Sequence, residues 1–230
     1  RSRCRGFKSR RGHFIFMKSP SKREIEKLVR NTYNKIALDY TKVFRKNPNY
    51  LIVLKKFVRG IPKGSRVLDA GCGTGLPVAK FLSKQFEVLG IDISSKMLKL
   101  ARKNVQNTKF KKMSLINMKL KSNSFNFICC FFALFHVKKS EISKVIKKFH
   151  TLLKKGGLLI ISVGEAKENK EEVSTFFKER IYYTGMKRKN LERLVKEVGF
   201  EIIYSKFLEH RYKKLGKLMK DKELFIATRK

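Results

Sequence analysis

The sequence predicts an α/β fold, in which a doubly wound, mostly parallel sheet carries helices on both faces. Two observations favour this class. From residue 66 onward, short apolar runs alternate with amphipathic stretches of helical period, a pattern typical of consecutive βαβ units. The first run continues into VLDAGCGTG (67–75), where three glycines in five positions indicate a backbone that turns sharply or is approached closely by a ligand.

Two helices are predicted before the alternation begins. Apolar residues recur at helical spacing from Ser21, which suits an N-cap, and Asn47-Pro48 ends this region. The segment from Asn47 to Tyr50 is interpreted as a turn. A second helix is predicted over residues 50–59 and is closed by Gly60 and Pro62.

The alternating region then supplies the sheet and most of its covering helices. Strands are predicted at 66–70, 87–92, 109–113, 125–131 and 158–162, with helices at 76–84, 96–105 and 141–153. The chain continues with a helix at 189–198, a strand at 200–207 and a last strand at 223–228. Adjacent Cys129 and Cys130 are expected to be buried strand residues that point to opposite faces.

Composition restricts the class of protein further. With 230 residues, 42% of them hydrophobic, the chain can bury one large core. The longest apolar run, at 127–137, is too short to cross a bilayer, so no membrane partner is expected. Four cysteines without a C-x-x-C pair indicate neither a disulfide framework nor a zinc site, and we expect a reducing, cytoplasmic compartment and no metal.

The formal net charge is +38, from 56 basic and 18 acidic residues. A charge of this size attracts polyanions, so nucleic acid is a possible partner. The lysines are spread along the whole chain, however, and this distribution modestly favours ordinary solvated helix faces.

Residues 1–16 differ in composition from the rest, because they carry six basic residues and no acidic one. They fit either a disordered nucleic-acid-binding arm or upstream sequence translated before a start at Met17, and we favour the second. The chain is therefore divided into 1–16, a helical cap at 17–60 and the α/β domain at 61–230.

Four sequence motifs occur together in the α/β domain. The G-x-G-x-G loop has Asp69 two residues before its first glycine, and the next strand ends at Asp92, where a carboxylate can accept hydrogen bonds from both hydroxyls of a ribose. With GIDISSKML (90–98), SFNFI (124–128) and LLKKGGLLIIS (152–162) in the same order, residues 30–230 resemble class I S-adenosylmethionine-dependent methyltransferases of the small-molecule type. The resemblance implies a Rossmann-like, doubly wound seven-stranded sheet with an antiparallel last strand, N-terminal helices that cap the cofactor site, and S-adenosyl-L-methionine as cofactor.

The resemblance also implies cofactor-binding residues. In the loop they are Asp69, Gly71, Cys72, Gly73 and Gly75. Asp92 would bind the ribose, with Ile93 beside the adenine, and Ser114 and Leu115 fall on the third-strand motif. Ser114 replaces the customary aspartate and removes a charged acceptor for the adenine amino group; Asn126 and Lys155 replace an aspartate and a proline elsewhere in the family pattern.

The fourth strand runs into FFALFHV (131–137), which in the resembling enzymes lines the methyl-transfer pocket. His136 is the candidate catalytic residue, able to orient an acceptor or take its proton, or else it only bonds a backbone group. Tyr33 and Tyr40 lie one helical face apart and would reach the cofactor from a lid, or are core residues with a polar tip. Tyr182 and Tyr183 could wall the acceptor site, with the same alternative.

Three functions stay open. The first is methyl transfer to a small molecule, which the apolar segment around His136 favours. The second is an RNA methyltransferase, suggested by the net charge and the basic stretch at 210–217. The third is a non-catalytic binding subunit of the same fold, suggested by Ser114 and Asn126. Neither the acceptor atom nor the oligomeric state follows from the sequence.

Overall fold

The computed structural model describes residues 19–214 and 217–230. The strands are β1 (Arg66–Ala70), β2 (Glu87–Asp92), β3 (Lys109–Lys112), β4 (Phe125–Phe131), β5 (Leu153–Gly164), β6 (Glu171–Phe176), β7 (Glu179–Thr184), β8 (Glu201–Lys214) and β9 (Lys217–Arg229). The helices are α1 (Lys22–Phe44), α2 (Pro48–Phe57), α3 (Val78–Leu82), α4 (Ser95–Asn104), α5 (Lys139–Leu152) and α6 (Arg188–Glu197). The arm predicted at residues 1–16 lies outside the described residues.

Seven of the strands form one sheet in the order β3-β2-β1-β4-β5-β9-β8. The pairs from β3 to β5 are parallel, whereas β9 is antiparallel to both β5 and β8. The predicted fold class, with its antiparallel last strand, is therefore confirmed. Because the first strand lies in the middle and the chain winds outward in both directions, the carboxyl ends of β1 and β4 meet at the switch point where ligands bind in such sheets.

Helices cover both faces of the sheet. Buried residues of α5 and α6 pack on one face, and those of α2 and α3 pack on the other. The neighbouring Cys129 and Cys130 belong to these two opposite clusters, as predicted from their alternation along β4. In the described part of the chain, no helix combines the length and the hydropathy that a bilayer span needs.

The N-terminal helix begins where the sequence predicts. The Ser21 side chain accepts a hydrogen bond from the Glu24 amide, and the Glu24 carboxylate accepts one from the Ser21 amide at 2.8 Å, a reciprocal capping box. The turn predicted after α1 is wrong, because Asn47 caps α2 instead. Its Oδ1 accepts the Asn49 amide at 3.0 Å, and Pro48 occupies the first helical position, where its missing N–H costs nothing.

Two features were not predicted. The hairpin β6–β7 lies between β5 and α6, and its strand β7 packs under α1 through a small apolar cluster of Ile25, Val29, Val173, Ile181 and Tyr182. Strands β8 and β9 are also about twice their predicted lengths and form a long ribbon. The basic stretch at 210–217 lies on this ribbon, with residues 210–214 in β8 and Lys217 in β9.

Candidate active site

The glycine loop is held tightly between two neighbouring strand ends. The amides of Gly71 and Cys72 both donate to the Ile91 carbonyl, at 2.8 and 2.9 Å. Gly71 has a φ of +85°, and a Cβ built on it would lie 2.3 Å from the Cβ of Ala133, in the loop after β4. No other residue type fits this position, because Ala133 fills the space that a side chain would need, and the loop therefore packs closely against the segment after β4.

Asp92 lies at the end of β2 and faces this loop. Its Oδ2 accepts the Gly73 amide at 2.9 Å, and its Oδ1 accepts the Ser94 amide at 2.8 Å. The carboxylate is therefore hydrogen-bonded without any ligand, yet each oxygen keeps capacity for a further donor. Burial is the largest influence on this group and raises its pKa to about 6, against the lowering effect of the amide hydrogen bonds.

Asp69 lies below the loop and is only 2% exposed. Its Oδ1 accepts a weak hydrogen bond from Cys129 Sγ at 3.7 Å, while Oδ2 has no partner among the described residues. Burial raises the pKa of this carboxyl to about 7. A buried acceptor without a donor is costly, so Oδ2 marks a place where a ligand donor would stabilise the protein.

A first cavity of about 800 Å³, counted out to its open mouth, lies over these groups. It brings together most of the predicted site residues: Tyr33, Tyr40, Gly71, Gly73, Asp92, Ile93, Ser114, Leu115 and His136. Asp69, Cys72 and Gly75 do not line it. Cys72 is buried behind the loop, and a Cβ on Gly75 would lie 3.2 Å from the side chain of Val105, so these two residues contribute to packing.

His136 joins the α1 side of this cavity to the hairpin. Its Nδ1 lies 2.8 Å from the Tyr182 carbonyl, which can only accept, so Nδ1 carries the proton. Nε2 is then an acceptor, and the Tyr33 hydroxyl donates to it at 2.7 Å. Burial lowers the pKa of the imidazole to about 4, which keeps His136 neutral near pH 7.

A second cavity opens beside the first and shares Tyr33, Tyr40 and Phe132 with it. Aromatic rings form much of its wall: Tyr33, Tyr40, Phe44, Tyr50, Phe132, Phe135, Phe176, Tyr183 and Tyr212. Phe132 separates the two spaces with a φ of +52°, which is rare outside glycine. Its amide donates to Ser162 of β5, which fixes the backbone at this position.

The two tyrosines predicted to wall the acceptor site have different surroundings. Tyr183 lines the second cavity and stacks on Phe135, with ring centroids 5.5 Å apart. The Tyr182 side chain instead lies in the cluster under α1, only 1% exposed, and its hydroxyl donates to Glu171. This half of the prediction is wrong, because consecutive residues of β7 point to opposite faces and only one of them can face the cavity.

Comparison with known proteins agrees with this geometry. A family model described as a methyltransferase domain matches residues 67–157. An uncharacterized protein of Methanocaldococcus jannaschii is 30% identical over 182 residues, covering 75% of this chain and 82% of that protein. Demethylmenaquinone methyltransferase of Staphylococcus aureus is 29% identical over 133 residues, 55% of this chain, and the chain spans about half the length of that relative (52%).

A solved structure matches over nearly the whole chain. The 1,6-didemethyltoxoflavin-N1-methyltransferase of Burkholderia thailandensis, with bound 1,6-didemethyltoxoflavin and S-adenosylhomocysteine, superposes with a TM-score of 0.71 at 19% identity. The match covers 94% of this chain and 93% of that one. The chain belongs to the class I S-adenosylmethionine-dependent methyltransferases. The predicted family, enzyme class and cofactor are thereby confirmed.

The first cavity of this methyltransferase suits its cofactor. The spare acceptor capacity of Asp92 in the cavity wall matches the hydroxyls of a ribose. Asp69, whose Oδ2 has no partner among the described residues, adds a carboxyl group behind the glycine loop that would attract an ammonium group.

Sequence reasoning missed three polar residues of this cavity, Lys22, Glu26 and Lys138. Glu26 of α1 reaches its wall and accepts a hydrogen bond from Ser114. Helical spacing does place Glu26 next to the apolar face of Ile25 and Val29, but no motif indicates which loop that face covers.

Proposed function

We propose that this methyltransferase acts on a small-molecule acceptor bound in the second cavity. The observation that carries the proposal is that the two cavities adjoin at Tyr33, Tyr40 and Phe132, which line both, so that an acceptor in the second cavity would lie beside a cofactor in the first. Methyl transfer requires that adjacency, since alignment of the acceptor with the methyl group supplies most of the rate.

The residues that would hold the cofactor are those of the first cavity and its floor. The ribose hydroxyls would donate to Asp92, and the ammonium of the methionine part would lie towards Asp69. The part of the cofactor between these two groups would pass close to Gly71 and Gly73. Ile93 and Leu115 would flank the adenine. The bound cofactor supplies an electrophilic methyl group on its sulfonium centre.

Tyr33 and His136 would orient the acceptor and take up its proton. The Tyr33 hydroxyl proton is directed at Nε2 of His136, so the lone pairs of the Tyr33 oxygen face elsewhere in the shared wall. An acceptor N–H or O–H can donate to that oxygen. As positive charge develops on the acceptor, its proton can move to Tyr33 while the Tyr33 proton moves to His136. The Tyr182 carbonyl holds the imidazole in the tautomer that this transfer needs.

The charges around the second cavity support a small molecule over RNA. Although basic residues outnumber acidic ones 56 to 18 in the whole chain, the cavity is lined by five acidic residues and four lysines. The acidic residues are Glu165, Glu168, Glu172, Asp221 and Glu223. Carboxylates at the opening oppose a polyanion, and aromatic walls suit a partly apolar molecule.

The names of two relatives point in the same direction. The Staphylococcus relative is named for demethylmenaquinone and the Burkholderia structure holds 1,6-didemethyltoxoflavin, both small molecules.

The proposal is tested with S-adenosylmethionine labelled in the methyl group, incubated with the protein and a fractionated extract of cells that encode it. We expect label in the small-molecule fraction, resistant to ribonuclease and almost unchanged between low and moderate salt. The Asp92→Ala variant is the matched control, since label that persists with it comes from enzymes of the extract.

RNA as acceptor would produce a different result. Its product would be destroyed by ribonuclease, and its formation would fall steeply with salt as counterion release is suppressed. Either outcome, or the absence of label above the control in every fraction, would overturn the proposal.

A further inference from the structure

We infer that Glu26, on the N-terminal helix, recognises the 6-amino group of the cofactor's adenine and so selects adenine over other purines. The inference rests on the proposed cofactor site. It assigns this carboxylate a role that Ser114, on the neighbouring loop, lacks the charge to perform.

The position of the adenine follows from the order of the strands. The glycine loop ends β1 and the ribose acceptor Asp92 ends β2, so a ligand that spans both continues over the end of β3, the next strand of the sheet. Ser114 lies two residues beyond β3. The wall at this end is apolar and would take a flat ring: it includes Ile25, Ile93, Met113, Leu115 and Ile116.

Glu26 brings a carboxylate to this apolar end. It is partly buried and lines the cavity from α1, on the opposite side from the strand ends. The Ser114 hydroxyl donates to Oε1 of Glu26, while its oxygen accepts the Ile116 amide at 3.1 Å. Ser114 therefore fixes the direction of the carboxylate, and Oε2 of Glu26 has no hydrogen-bond partner among the described residues.

The chemistry at this point suits a donor. Of the common purines, adenine presents two N–H donors at its 6-position, whereas hypoxanthine presents a carbonyl oxygen there. A carboxylate can only accept, so it would bind the adenine amino group and repel the oxygen. A site built to hydrogen-bond one group rejects the analogue that lacks it, because its own polar atom is then left unpaired.

The test is calorimetric binding of S-adenosylhomocysteine and S-inosylhomocysteine, which differ at the 6-position and at the adjoining N1, an acceptor in adenine and a donor in hypoxanthine. We expect the unmodified protein to bind the adenine compound about 10- to 100-fold more tightly, the value of one hydrogen bond to a charged group. In Glu26→Gln, whose amide can donate to the inosine oxygen, the two affinities should become nearly equal. Asp39→Asn removes an exposed carboxylate of the same helix that lines neither cavity, and should leave the preference unchanged.

A relocated carboxylate should restore selectivity. In Glu26→Ala/Ser114→Asp, the aspartate keeps the capping hydrogen bond to Ile116 and carries the charge on the opposite wall. We expect this double variant to prefer the adenine compound again, which a merely structural role of Glu26 would not produce. If Glu26→Gln fails to fold, Glu26→Asp replaces it in the test. This variant keeps the charge but shortens the side chain by one methylene, and it should lower the preference for the adenine compound.

The outcomes separate this inference from the proposed function. Failure of the unmodified protein to bind either compound would contradict the cofactor site itself. Tight binding of both compounds without preference, or a preference that survives in the folded Glu26→Gln protein, would overturn the role of Glu26 and leave the proposed function standing.

Discussion

Two carboxyl groups at the cofactor cavity, the partly buried Asp92 in its wall and the buried Asp69 behind it, differ in what already binds them. Asp92 accepts two backbone amides, whereas Asp69 accepts only a cysteine thiol and leaves one oxygen without a partner. Burial raises the pKa of both, to about 6 and about 7. Both groups are therefore expected to change charge near neutral pH.

Replacement of Asp92 by alanine is expected to weaken cofactor binding by about 1–3 kcal/mol, because charged hydrogen bonds to the ribose are lost. In the unmodified protein, affinity should also fall as the pH drops through about 6. Because the pKa of Asp92 is raised, its protonated form is already populated at that pH. The protonated carboxyl donates on one oxygen and is a weaker acceptor. Calorimetry with S-adenosylhomocysteine between pH 5 and pH 8 measures both effects.

Glu87→Ala provides the control for this experiment. Glu87 begins the same strand, pairs with Arg66 at the surface and lies outside both cavities. Its loss should leave affinity unchanged. Equal affinity for Asp92→Ala and the unmodified protein, at every pH, would show that the ribose lies elsewhere.

At the residue scale, the motif correctly predicted the position of Gly71, Gly73 and Asp92 beside the first cavity, while their role in binding the cofactor stays a prediction. These three residues lie at the carboxyl ends of β1 and β2. Because the two strands pair in parallel, both ends fall on the same edge of the sheet. The hydrogen bonds that Asp92 accepts from the amides of Gly73 and Ser94 were not predicted, because nothing in the sequence shows that these amides turn towards it. Glu26 and the Tyr182 carbonyl were missed for a related reason: both act from segments that meet the loop only in three dimensions.

At the scale of elements, α1 and the hairpin β6–β7 together cover the carboxyl end of the sheet. The Thr32 hydroxyl donates to the Arg180 carbonyl at 2.5 Å, and Lys35 pairs with Glu179 at 2.8 Å. The hairpin was not predicted because its strands are short and carry many charged residues. The helix was predicted from its period, but which surface its apolar face meets depends on that hairpin.

Ile181→Ala should therefore act on stability and on cofactor binding together. Ile181 is fully buried between α1 and the hairpin, so its truncation should lower the free energy of unfolding by about 2–4 kcal/mol through lost burial and a residual cavity. Since α1 carries Tyr33 and Glu26, a loosened contact should also weaken the affinity for S-adenosylhomocysteine. Urea denaturation and calorimetry measure the two quantities.

Leu218→Ala is the matched control. The Leu218 side chain on β9 is 71% exposed, and its truncation removes a similar apolar volume. It should change neither quantity. Loss of stability in Ile181→Ala with fully retained cofactor affinity would show that the position of α1 does not govern the site.

At the scale of the whole molecule, the charge of +38 is the dominant property. Ion pairs such as those of Arg211 and Lys220 with Glu209, at 3.9 and 2.8 Å, do not reduce this net charge, which already counts the 18 acidic residues. Such exposed pairs are weak. Repulsion among the remaining lysines therefore opposes the compact state at low ionic strength.

Addition of potassium chloride from about 10 mM to about 150 mM, over which the Debye length falls from roughly 30 to roughly 8 Å, should raise the melting temperature by a few degrees. Scanning calorimetry without ligand measures the change. Sucrose at matched osmolality is the control, since it does not screen charge. A melting temperature that stays constant or falls over this range would contradict net repulsion as a cost to stability.

The wall shared by the two cavities implies a reciprocity between their ligands. A tyrosine ring that shifts to receive one ligand presents a changed surface to the other, so the free energy of that shift enters both binding constants. Thermodynamic linkage then makes the two effects equal. The factor by which the bound cofactor product changes the affinity for the acceptor is the factor by which the bound acceptor changes the affinity for the product. Tyr33 and Tyr40 are the two tyrosine rings of this wall through which such a coupling would pass.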